Sequence, residues 1–260
     1  MSKMMSQAPV TVGYMSNTGS NKVCVVFGAG EYYAGTPVVS ENAYVVAADG
    51  GLDHARELGI VPDVVVGDFD SLQGRMSRTD VRTIALPSLK DDPDMLSALK
   101  VGWAAGCREF RIYGGLGGRI DHTISGIQLM ALLARHGASG YLYGDGLIVT
   151  AITDGELRFP AHPVPEDGRM VSAFSHSDVS LGVNEPGLKY ELRDSTLTNT
   201  VVRGVSNEFR DGVDAAISVE RGTLIVTFPI EVALPQVGRF HEFGGDIGTL
   251  DTEVSKLLVR

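Results

Sequence analysis

Tyr44-Val45-Val46-Ala47-Ala48-Asp49-Gly50-Gly51 is the stretch on which the fold turns. A short apolar run enters an acid and a pair of glycines. Such a run reads as a strand buried on both faces, as in parallel sheets. Val64-Val65-Val66 repeats the pattern and enters Gly67-Asp68-Phe69-Asp70-Ser71. Acids at the carboxyl ends of these strands stand where open α/β sheets bind their ligands. Asp68 and Asp70 are spaced so that both can reach one cation, and Mg²⁺ takes oxygen ligands. The rim of this sheet is therefore the expected metal–phosphate site.

Outward from these runs, strands and helices alternate, which implies a parallel sheet. Val23 to Phe27 is a strand entering Gly28-Ala29-Gly30. That glycine pair lacks the third glycine of a dinucleotide fingerprint and reads as a tight strand-to-helix turn. Asp53 to Leu58 is a short helix, Thr83 to Leu86 a strand, and Asp92 to Ala105 a helix. Asp92 reads as the cap of that last helix, with Pro93 at its first position. Phe110 to Tyr113, a helix over Asp121 to Arg135, and Tyr141 to Tyr143 complete the series.

Beyond Gly144 the helical period disappears. Strands are expected at Leu147–Ile152, Glu156–Phe159, Met170–Phe174, Val179–Val183, Leu188–Leu192, Ala215–Val219 and Leu224–Phe228. Turn dipeptides such as Asp154-Gly155, Asp167-Gly168, Pro186-Gly187, Asp211-Gly212 and Arg221-Gly222 separate them. Short, regularly spaced strands suggest an antiparallel sandwich or barrel. The fold expected is α/β plus all-β: a Rossmann-like parallel-sheet domain over residues 20–145, then an antiparallel β-sandwich over 146–260. The stretch Gly238 to Gly248 fits neither pattern, and the last nine residues suit a short helix or strand.

The 260 residues carry a formal charge of −10, which argues against nucleic acid as a partner. Nucleotides stay open, because a bound cation and a few local basic groups invert the field at one site. Two cysteines, Cys24 and Cys107, read as free thiols. The N-terminal Met1 to Ser6 lacks an apolar core and no run approaches a membrane span, so a cytoplasmic enzyme is the expectation.

Four clusters belong to the expected rim: Asp49-Gly50-Gly51; Asp68 and Asp70; Lys90-Asp91-Asp92-Pro93-Asp94; and Gly114 to Asp121, ending in Gly117-Gly118-Arg119-Ile120-Asp121-His122. The last offers backbone N–H groups, a helix start and the forked donor Arg119 for a polyphosphate. The acids would repel phosphate unless Mg²⁺ lies between, as metal-assisted phosphoryl or pyrophosphoryl transfer requires. Asp94, its direction set by a helix, is the candidate for taking a proton from an attacking hydroxyl. Asp121 also reads as a helix cap, and His122 as a core or surface histidine.

Taken together these boxes resemble the thiamine pyrophosphokinase (thiamine diphosphokinase) family. Its pattern is Ala-Asp-Gly-Gly, Pro-Asp-x-x-x-Gly-Asp-Phe-Asp-Ser, Lys-Asp-x-Thr-Asp and Gly-Gly-Arg-x-Asp-His. Here these stand as Ala48 to Gly51, Pro62 to Ser71, Lys90 to Asp94 and Gly117 to His122. Gly187-Leu188-Lys189-Tyr190 and Ser206-Asn207-Glu208 are similar to its thiamine-binding part. The resemblance implies transfer of the pyrophosphoryl group of ATP to the thiamine hydroxyl, releasing AMP, with Mg²⁺, in a homodimer. It implies Asp68, Asp70 and Asp94 as metal ligands, and Asp70, Asp94, Arg119 and Asp121 as catalytic residues. Asp49, Gly50, Gly51, Lys90, Gly117, Gly118, Arg119 and His122 would serve ATP, and Ser206 and Asn207 thiamine. Pro93 stands where the family usually has threonine, and Gly204-Val205 where it has two hydroxyl residues. The alternatives left open are a Mg-dependent pyrophosphotransferase or pyrophosphohydrolase with another acceptor, and a non-catalytic nucleotide- or thiamine-binding module.

Overall fold

The computed structural model describes residues 22–33, 37–68, 81–165 and 168–255. The Met1 to Ser6 stretch, Asp167, and the Phe69-Asp70-Ser71 part of the second acidic box lie outside them. The first half is built on β1 (Val23–Phe27), β2 (Tyr44–Ala48), β3 (Val64–Gly67), β4 (Arg82–Ala85), β5 (Glu109–Tyr113) and β6 (Ser139–Tyr143). Every adjacent pair is parallel, in the order β6-β5-β1-β2-β3-β4. From β1 the chain winds outward to β4, then crosses back to β5. The direction of winding thus reverses between β1 and β5.

Successive strand residues face opposite layers, as the pleat demands. Cys24, Val26, Val46, Val66, Phe110 and Ile112 pack beneath α2 (Asp94–Ala104) and α3 (Ile120–Arg135). Val25, Phe27, Val45, Ala47 and Val65 pack on the other face with Leu52 and Ala55 of α1 (Gly51–Glu57). Burial on both faces is why these strands read as unbroken apolar runs.

The second half comprises β7 (Leu147–Phe159), β8 (Met170–Ser175), β9 (Val179–Val183), β10 (Ser195–Thr198), β11 (Asn207–Glu208), β12 (Ala215–Pro229) and β13 (Gln236–Arg239). Its core is separate, with Phe159 edge-on to Phe209 and Phe228 at 5.1 and 5.2 Å. β6 pairs parallel with β5 and antiparallel with β7, so a single 13-stranded sheet runs through both halves. The architecture is mixed α/β and rich in sheet. Among the described residues no helix is long and apolar enough to cross a membrane.

Several expectations are corrected. Leu147–Ile152 and Glu156–Phe159 are one strand, β7, and Ala215–Val219 and Leu224–Phe228 are one strand, β12. The intervening Asp154 and Arg221-Gly222 lie in a bulge rather than in turns, and Gly155 stays in register opposite Val219. Asp154 has φ 40° and Gly222 φ 124°, the β7–β12 register shifts between Val219 and Thr223, and Gly222 N donates to Asp154 Oδ1 at 2.7 Å. Leu188–Leu192 is not a strand, because the Asn207 side chain takes both the N–H and the carbonyl of Tyr190. Asp92 does not cap α2: Pro93 holds that position, and Asp92 pairs with Lys100 instead. No helix follows Gly28-Ala29-Gly30 among the described residues before β2. Residues 240–255 form no regular element, and 256–260 lie outside the description.

Candidate active site

Where the winding reverses, β1 and β5 end side by side. Gly28 N donates to Tyr113 O at 2.8 Å and Gly30 N to Gly114 O at 2.9 Å, tying the two exit loops together. Above them opens a cavity of about 930 Å³. Gly28 to Tyr32 form one wall, and Gly114, Gly115 and Gly117 to Arg119 another. Asp49, Asp94 and the α3 residues His122, Ser125 and Gly126 also face it. Open α/β sheets bind ligands at such a reversal, and the size suits a small-molecule site.

The fold thus gathers Asp49, Asp94, Gly117, Gly118, Arg119 and His122 around one space. Gly50 and Gly51 are outside the wall. Gly51 starts α1 so close to β1 that a side chain there would run into the Phe27 carbonyl oxygen. Lys90 stands behind Asp94, its Nζ 2.7 Å from Oδ1 and its side chain only 7% exposed. Asp121 lies outside the wall and grips Arg119, which donates through Nε and Nη2 to its two carboxylate oxygens. Arg119 holds the Asp121 carboxyl below its ordinary range.

Asp49 is the most constrained of the acids. It sits at φ 48°, a region that side-chain-bearing residues seldom occupy. Burial pushes its carboxyl up, and the charges of Asp94 and Asp68 push it further, against the pull of Lys90. Its Oδ1 is buried with no hydrogen-bond partner. An unpartnered carboxylate oxygen beside further acids is the donor chemistry that a divalent cation satisfies. Among the described residues, no three acids or histidines already form a metal cage. Asp70, the further acid of that box, lies outside them.

Tyr32, His54, Glu31 and Glu57 also line the cavity, and the sequence did not mark them. Phe27, Tyr32 and His54 form a stack, with centroids 6.3 Å and 4.0 Å apart. The aromatics just after Gly28-Ala29-Gly30 were the available signal. Ser206 and Asn207 are not part of this wall. Asn207 is buried, its Oδ1 accepting from Tyr190 N and Glu208 N and its Nδ2 donating to Glu185 Oε2 and Tyr190 O. Those bonds use its full capacity. Ser206 is exposed at φ 60°, its N–H bonded to Ser172 Oγ at 3.0 Å.

The sequence model of the family described as thiamin pyrophosphokinase, catalytic domain, matches residues 36–142. Residues 36–142 are thus similar to a thiamin pyrophosphokinase catalytic domain. That span holds Asp49, Asp94 and the Gly114 to His122 loop, whereas Gly28 to Tyr32 precede it and Ser206 and Asn207 follow it. The thiamin pyrophosphokinase match supports an enzyme with thiamine diphosphokinase activity and ATP as co-substrate. Solved structures share the fold. The thiamine pyrophosphokinase of Bacillus subtilis is 22% identical with a TM-score of 0.67, over 81% of this chain and all of that one. The corresponding structure from Geobacillus thermodenitrificans is 21% identical with a TM-score of 0.66, over 82% and 99%. The Candida albicans enzyme is 13% identical with a TM-score of 0.64, over 80% and 90%. A comparison with curated proteins finds no match.

Proposed function

We propose that this chain transfers the terminal pyrophosphoryl group of ATP to the hydroxyl of thiamine, giving thiamine diphosphate and AMP. The observation that carries this reading is one cavity with opposite chemistry on its two sides. The Gly114 to Arg119 loop, opening α3, offers backbone donors and a guanidinium to phosphate oxygens, and Asp49 and Asp94 stand in the same space. Asp94 takes the proton of the attacking hydroxyl, its direction fixed by α2 and by Lys90. Arg119 exchanges its grip on Asp121 for the incoming phosphates.

Mg²⁺ would be held by Asp68 and Asp70 with Asp49, whose unpartnered oxygen supports the assignment. Bound there, it would offset phosphate charge against the carboxylates. Ser206 would meet thiamine, on a loop that Asn207 shapes. The exposed apolar groups around it, Tyr190, Val201, Val202 and Val205, support a partner subunit covering this face in a homodimer. A cytoplasmic setting goes with this reading.

Purified protein given ATP, Mg²⁺ and thiamine should yield AMP and thiamine diphosphate in equal amounts by chromatography. AMP at the same rate without thiamine would replace the transferase with a hydrolase. No product from folded protein would overturn the reading.

A further inference from the structure

The turn Leu89 to Pro93 leads into the acid Asp94 and is fastened from two sides. Toward the cavity, Lys90 meets Asp94. From the far side the C-terminal segment arrives: Ser255 N donates to Leu89 O at 2.8 Å, and Ser255 Oγ donates to Asp91 Oδ1 at 2.5 Å. The residues before and after Lys90 are thus both held by one serine.

The segment that brings Ser255 there is itself seated. Ile247 is buried in the core of the first half and Leu250 packs against it. Gly248 lies against Lys100, the residue that pairs with Asp92 in the same turn. The tail therefore touches the turn directly at Leu89 and Asp91, and through Lys100 at Asp92.

We propose that Ser255 is a positioning residue for pyrophosphoryl transfer, holding Leu89 and Asp91 so that Lys90 meets Asp94 at the cavity. The inference rests on the transferase reading above. A lysine on a free turn would sample many directions, and misplacement of a charged group by about 1 Å costs up to about a hundredfold in rate. Both contacts of Ser255 described above fall on the turn behind Asp94, at the acid end of the cavity. Its effect therefore falls on turnover and spares thiamine binding.

The test is a kinetic cycle in the full chain with ATP, Mg²⁺ and thiamine. Ser255→Ala and Asp91→Ala should each lower kcat about three- to tenfold, with KM for thiamine and the melting temperature unchanged. The double variant should fall no further than either single one, and Ser255→Thr should keep the wild-type kcat. Wild-type turnover in Ser255→Ala, multiplying losses in the double variant, or a loss that tracks a lower melting temperature would overturn the inference alone. Wild-type protein that makes no thiamine diphosphate would overturn the functional reading and this inference with it.

Discussion

Lys90 and Asp94, four residues apart, form an ion pair at the cavity with Nζ and Oδ1 2.7 Å apart, although α2 does not begin until Asp94. The lysine reaches the acid from the preceding turn. It neutralises charge without occupying the cavity wall.

If Asp94 is the proton acceptor, Asp94→Asn should lower kcat by about 10² to 10⁴ with the fold intact. The variant keeps the size of the side chain and a hydrogen bond acceptor near Lys90. Steady-state rates with a circular dichroism control decide it. A folded variant with wild-type kcat would move the role to Asp49.

Arg119 is held by Asp121 in a two-bond fork, and the same fork suits a phosphate. Arg119→Ala should raise KM for ATP roughly ten- to a hundredfold, the worth of a charge-assisted hydrogen bond. Arg119→Lys should recover only part of it, since an ammonium cannot reproduce the fork. A wild-type KM in Arg119→Lys would show that charge alone matters.

Glu185 gives a stability prediction. It is 1% exposed, and burial pushes its carboxyl up from 4.5 to about 7, against the pull of Asn207. Between those values the folded chain holds more protons than the unfolded one, so stability falls as pH rises. The stability is fully present below about pH 4.5 and lost by about pH 7, on the order of 3 kcal/mol in all. Glu185→Gln should lose this slope and exceed the wild type at pH 8. Urea melts at pH 5 and pH 8 measure it.

Gly222 sits at φ 124° opposite Asp154, with Ser180 where a side chain would go. Gly222→Ala should destabilise by about 1–3 kcal/mol through backbone strain, with added cost from the Ser180 contact. Because the bulge belongs to the second half's strands, turnover in folded variant should change little. A melting temperature equal to the wild type would show that the bulge relaxes freely.

The first half was legible because strands buried on both faces leave unbroken apolar runs, because Asp49 and the Gly114 to His122 loop follow the ends of those runs, and because Asp94 stands at a helix start. The second half was legible as antiparallel strands but not in its breaks. Asp154-Gly155 and Arg221-Gly222 look like turns because a bulge needs the same backbone freedom as a turn. Tyr32, His54, Glu31 and Glu57 were missed for another reason. Nothing local in the sequence says that the exits of β1 and β5 are neighbours, and that adjacency alone makes those side chains part of the cavity. Nor could spacing show that Asn207 is fully engaged by Glu185, Tyr190 and Glu208.

The pairing of β6 with both β5 and β7 has a mechanical consequence. A hydrogen-bonded ladder crosses the place where the strand pattern changes from parallel to antiparallel, so the two halves cannot swing about a linker there. Opening and closing of the cavity must then come from movement of the loops that follow β1 and β5. By the same reasoning, severing the chain after Tyr143 would leave each fragment with a raw strand edge, prone to self-association instead of independent folding.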